Sequence, residues 1–126
     1  MSYVDGFVLA VPAANREAFR AMAARVAEIF VAHGALRVVE NWGDEVPEGE
    51  ITDLRRAVAA TADETVVFSW VEWPSKEARD AGNEAVAADP RMHEARPEEA
   101  DVMDPRRMIY GGFVPVVDMR GKEQSR

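Results

Sequence analysis

The spacing of apolar and polar residues divides the chain into strand-like and helix-like stretches. Tyr3 to Val11 (YVDGFVLAV) is rich in β-branched and aromatic residues and stops at Pro12. Thr65 to Trp73 (TVVFSWVEW) has the same character and stops at Pro74. Ala35 to Trp42 (ALRVVENW) reads as a shorter strand closed by Gly43 and Asp44, and Met108 to Val116 (MIYGGFVPV) as the last. Between the first two strands, Phe19, Met22, Val26, Ile29 and Phe30 recur at spacings of three and four, which predicts a helix. Asn15 stands at its cap, and His33 and Gly34 at its end. Ser75 caps a second helix running to about Asp89, with Ala78, Ala81, Gly82, Ala85 and Val86 as a stripe of small residues that permits close approach to a sheet. Thr52 is the expected cap of a short helix through Val58.

The order β-α-β, β-α-β predicts an α+β fold. It is a ferredoxin-like βαββαβ protomer whose four-stranded antiparallel sheet carries its helices on one face. Residues 1–119 form one domain in this reading, and 120–126 a polar C-terminal tail. In the first strand Tyr3, Asp5, Phe7 and Leu9 point one way, and Val4, Gly6, Val8 and Ala10 the other. The expectation is that Phe7, Leu9, Val67 and Val71 lie on the uncovered side, while Val66, Phe68 and Trp70 pack under a helix. An apolar face of that size calls for a second copy of the chain, so a homodimer through the sheet faces is expected.

Composition narrows the functional classes. The 126 residues are 48% hydrophobic with a net charge of −8, enough apolar material for a core and the wrong sign for a general nucleic-acid binder. Cysteine is absent, which excludes disulfides, thiolate metal sites and a cysteine nucleophile. The sequence lacks an apolar run of about 20 residues and an apolar leader, so a cytoplasmic protein that neither spans nor binds membranes is expected.

Five segments together resemble a known family: VDGFVLAVP (Val4 to Pro12), ENWGDEVPEG (Glu40 to Gly49), ETVVFSWVEWPSKEARD (Glu64 to Asp80), DPRM (Asp89 to Met92) and RRMIYGGF (Arg106 to Phe113). In order and spacing they are similar to the YbaA-like family of uncharacterised bacterial proteins. The resemblance spans nearly the whole chain and implies a protomer of the dimeric α+β barrel superfamily. It departs at Met103-Asp104-Pro105-Arg106, where similar proteins tend to carry a Phe-Asp-Gly turn. Related barrels include cofactor-independent oxygenases of polycyclic phenols, haem-degrading enzymes and small stress-associated proteins, with sites between sheet and helices. None of their motifs aligns here residue by residue, so that likeness is one of fold.

Candidate chemistry centres on two groups. Asp5 sits in an apolar run, where a buried carboxylate needs a partner or a raised pKa; it reads as a general base, or as a group near the strand's start that is solvated or bonded to Arg106 or Arg107. Ser69 shares its face if the central strands run in phase, but lacks a histidine and an elbow that would make it a nucleophile. Asn41, Trp42, Trp70, Trp73 and Tyr110 read either as an aromatic-lined pocket with one amide donor or as core and dimer packing. Phe7, Trp42, Ser69 and Tyr110 are the expected ligand-binding residues, with Asp5 and Asn41 as catalytic candidates.

His33 ends a helix, where the dipole accounts for it, and His93 lacks a partner at helical spacing, so no metal and no cofactor are expected. The acids Asp44, Glu45, Glu48 and Glu50, and Glu98, Glu99, Asp101 and Asp104, read as solubilising surface. Gly111 and Gly112 read as a bulge or a close backbone approach. The leading functional reading is a small-molecule-binding protein for an apolar or aromatic ligand, acting as a cofactor-independent oxygenase or isomerase. The alternative is a noncatalytic dimeric structural or stress-related module with a filled core.

Overall fold

The computed structural model describes residues 2–122, so positions 123–126 of the expected tail lie outside the described residues. The elements are β1 (Tyr3–Pro12), α1 (Arg16–Ala32), β2 (Arg37–Trp42), α2 (Leu54–Ala57), β3 (Glu64–Trp73), α3 (Lys76–Ala88) and β4 (Ile109–Phe113). The sheet has the order β2-β3-β1-β4 with every pair antiparallel. β1 and β3 pair from Tyr3↔Trp73 to Pro12↔Glu64, leaving no break in the central ladder. This is the ferredoxin-like arrangement the element order predicts.

Local chemistry sets most boundaries. Ser75 Oγ accepts from the Ala78 N–H at 3.0 Å and starts α3. Gly34, at φ 106°, takes the left-handed position after α1. The short helix is capped by Asp53, which accepts from Arg56 N at 2.7 Å, one residue beyond the expected Thr52. Asn15 occupies the cap of α1 but its amide reaches elsewhere, donating to Val102 O at 3.0 Å. That bond ties the connection between α3 and β4 to the start of α1.

The assignment of the two sheet faces is corrected by the structure. Tyr3, Asp5, Leu9 and Val11 of β1, with Val67, Ser69, Val71 and Trp73 of β3, are buried on the helix-covered face. Phe68 and Trp70 lie on the open one, with Phe68 49% exposed. Both faces of β1 are apolar, so composition does not choose between them. Side-chain direction and hydrogen-bond direction alternate together along a strand, and the face is fixed only once neighbours and register are known.

On the covered face Trp73 is fully buried, with the Phe30 ring edge-on at 6.2 Å. It lies so close to α3 that a Cβ on Gly82 would fall 2.3 Å from its ring. The small-residue stripe thus serves one large partner. At the other edge a Cβ on Gly112 would fall 2.2 Å from the Tyr3 hydroxyl. The close approach expected at the paired glycines is therefore made by a tyrosine, and the β1–β4 ladder runs from Val4↔Phe113 to Val8↔Ile109 without a bulge.

The connection between α3 and β4 is more than a solvated acidic segment. Its 3-10 turns at Pro90–His93, Pro97–Glu99 and Pro105–Arg107 are bound to the body. Glu99 pairs with Arg25 of α1 at 2.7 Å, and Arg107 with Glu64 of β3 at 2.6 Å. None of the described helices is long and apolar enough to cross a membrane.

Candidate ligand chamber and its carboxylate

Between α1 and the covered face of the sheet lies a chamber of about 250 Å³. Phe7 and Leu9 of β1, Val38 of β2 and Val71 of β3 form its floor, α1 contributes Phe19, Met22, Val26 and Phe30, and Met103 and Met108 close it from the following connection. Three methionines among these walls make the space adaptable, because thioether side chains reshape at little cost. The polar side chains that line it are Glu40 and Ser69. An outer pocket of about 360 Å³ adjoins it, sharing Phe19, Ala23, Ala27, Val38 and Glu40, and adds Arg16, Glu17, Arg20, Ala24 and Trp42. Glu40 therefore stands where the two spaces meet.

Glu40 and Ser69 are cross-strand partners in the β2–β3 ladder, and the Ser69 hydroxyl donates to Glu40 Oε1 at 2.5 Å. Ser69 is buried. Glu40 is exposed as a whole residue, and its side chain lines both spaces, whose other walls are largely apolar. Burial pushes the Glu40 carboxyl above its usual range, and the Ser69 hydrogen bond draws it partly back. No cation pairs with it among the described residues.

The residues singled out in the sequence fall in different places. Phe7 and Ser69 line the inner chamber, and Trp42 the outer pocket. Asp5 is buried on the same face but outside the chamber. Arg79 of α3 donates to it through Nε at 3.1 Å and Nη2 at 2.9 Å, and Trp73 Nε1 at 3.0 Å. Its partner is Arg79, while Arg107 pairs with Glu64 at 2.6 Å and Arg106 with Asp104.

Asn41 is exposed on the open face and donates to Phe68 O at 3.0 Å. Tyr110 is 73% exposed on the edge strand, its ring 6.2 Å from that of Phe7. Trp70 donates to Glu72 at 2.9 Å. His33 bonds Asp89 at 2.7 Å, and His93 Nε2 lies 2.7 Å from Ala87 O. Glu40 and the methionines were not singled out. Glu40 did carry a signal, since Val38 and Trp42 flank it at the same-face spacing of two.

A four-stranded antiparallel sheet with a ligand-sized space under α1 defines the class, a ferredoxin-like α+β protein. Solved structures share that fold along their length. A monooxygenase from the ActVA-Orf6 gene of Streptomyces coelicolor, in complex with the ligand nanaomycin D, superposes with a TM-score of 0.55 at 19% identity, covering 96% of this chain and 93% of that one. A dimeric ferredoxin-like protein from an uncultured marine organism gives 0.55 at 12%, covering 94% and 98%. Identity at that level establishes the fold alone. Within the class, residues 2–104 match the family described as Protein of unknown function (DUF1428), and the chain belongs to it. The uncharacterized protein YbaA of Escherichia coli strain K12 is 54% identical over 118 residues, 94% of this chain and 99% of the relative, in agreement with the resemblance carried by the five segments.

Proposed function

We propose that this protein binds a small, flat, apolar molecule between α1 and the sheet and moves a proton on it with Glu40. The observation that carries the reading is the Glu40–Ser69 pair, the polar element of an otherwise apolar chamber. A carboxylate in such surroundings is a stronger base than one in water, and a pKa shifted toward neutrality suits it to accept and return a proton. Ser69 positions the carboxylate by donating to it. Proton abstraction from an acidic C–H or O–H of the ligand is the step common to a cofactor-independent isomerase and a cofactor-independent oxygenase. The fold neighbour described as a monooxygenase makes the second compatible with the scaffold. A ligand-free module with a filled core is disfavoured by the open volume under α1.

The same reading includes a homodimer. Phe68 and Phe113 are 49% and 60% exposed on the open sheet face, an apolar surface that a second copy would cover. The dimeric fold neighbour supports this. Sedimentation at micromolar concentration is expected to give a dimer, and a stable monomer would overturn that part.

The binding claim is tested by thermal stabilisation with flat aromatic phenols and acids. A ligand present at a hundred times its Kd adds about 2.7 kcal/mol to the folded state. The half-buried Ala27 borders both spaces, so Ala27→Phe is expected to abolish the stabilisation while the variant folds. Absence of any stabilising ligand, or equal stabilisation of Ala27→Phe, would overturn the reading.

A further inference from the structure

The ion pairs of this acidic chain leave one cation of the folded body without a partner, and it stands at the mouth of the chamber. Among the described residues, each Arg and Lys between positions 3 and 113 other than Arg16 is held. Arg20, Arg25, Arg37, Arg56, Lys76, Arg79, Arg91, Arg96, Arg106 and Arg107 pair with carboxylates. Arg55 donates to the Glu64 and Thr61 carbonyls at 2.9 and 2.7 Å.

Arg16 makes no such bond. Its guanidinium lies over the Trp42 ring, 5.5 Å from the centroid, and lines the outer pocket. The neighbouring carboxylate, Glu17, is taken by Arg20, which reaches it at 2.6 and 2.9 Å. With acids in excess by eight charges, an arginine left unneutralised beside a cavity marks a place kept for an anion that is not part of the chain.

We infer that the ligand is an amphipathic acid, whose apolar body fills the inner chamber and whose carboxylate is bound by Arg16 in the outer pocket. This rests on the chamber being the ligand site, and it adds the ligand's charge and orientation. The Trp42 ring beneath the guanidinium favours the cation at that place, and a guanidinium presents paired donors to a planar, two-oxygen acceptor. Glu40, at the junction of the two spaces, then faces the part of the ligand next to its anionic group.

The test compares 2-naphthoate with its neutral isostere 2-naphthamide by isothermal titration at low salt, in the wild-type protein and in Arg16→Gln, Arg16→Lys and Ala27→Phe variants. The wild type is expected to bind the acid about tenfold more tightly than the amide, the scale of a charged acceptor replacing a neutral one. Arg16→Gln is expected to erase that preference, Arg16→Lys to restore part of it, and added salt to shrink it. Equal binding of acid and amide to the wild type, or an undiminished preference in Arg16→Gln, would overturn the inference and leave the chamber in place. Binding of neither probe, or binding that survives Ala27→Phe, would overturn the chamber and this inference with it.

Discussion

Two carboxylates stand on the covered face of the sheet, Asp5 on β1 and Glu40 on β2, and the molecule treats them in opposite ways. Under α3, Asp5 is saturated by Arg79 from two directions and by the Trp73 indole, with the Tyr3 ring 4.9 Å from the same guanidinium. Gly82 brings α3 down onto Trp73 until no space is left. Under α1, Glu40 meets one hydroxyl and a chamber of methionines and aliphatic side chains. A buried charge with full partners is costly to break because removing it strands the others; a crowded carboxylate with one neutral donor strands little when it is removed. On the proposed reading the α3 half is scaffold and the α1 half carries the site.

The sharpest way to break the contrast is to remove Asp5. Asp5→Ala strands the Arg79 guanidinium and the Trp73 N–H, and a loss of roughly 2–4 kcal/mol in denaturant unfolding is expected, at the lower side of buried-pair effects because Arg79 keeps some solvent contact. Next in size is Gly82→Ala. In an exposed helix that change stabilises by about 1 kcal/mol, whereas here the new methyl meets the Trp73 ring, and a net loss of roughly 1–3 kcal/mol is expected.

The smallest effect belongs to Glu40. Glu40→Gln is expected to change stability at neutral pH by less than about 1 kcal/mol, and in the favourable direction, since it removes a desolvated charge.

Its signature is in the pH dependence. Glu40 titrates above the unfolded value in the folded state, so between those two values the folded form binds more protons, and its contribution falls as pH rises through that window. Glu64, held down to about 2 by Arg107 and the Thr61 N–H, has the opposite sign. Its contribution is present above the ordinary glutamate range and is lost as pH falls toward 2. Glu64→Gln should flatten the acid limb of the stability profile, and Glu40→Gln the limb above it.

How much of this was legible depends on what each signal encodes. The strands ending at Pro12 and Pro74, the three-and-four repeat from Phe19 to Phe30 and the Ser75 cap are local, and all appear in the structure. Ser69 shares the face of Asp5, as expected if β1 and β3 run in phase, and its direct partner across the ladder is Phe7. The covered face was not legible, because Phe7 and Leu9 compete with Val8 and Phe68 on equal terms until register is set. Asp5 drew attention as a charge inside an apolar strand. Glu40 carries the same pattern between Val38 and Trp42, but in a short strand that forms one edge of the sheet, where a charge draws no notice. Which of the two is neutralised depends on Arg79, separated from Asp5 by most of the chain. Arg16 is conspicuous only after the other cations have found partners.

The most direct test of the central claim is a carbon-13 NMR titration of the Glu40 carboxyl in the unliganded protein and in Ser69→Ala. The account predicts a midpoint above the ordinary glutamate value of about 4.3, moving higher when the Ser69 donor is removed. A midpoint at or below that value, unmoved by Ser69→Ala, would contradict it.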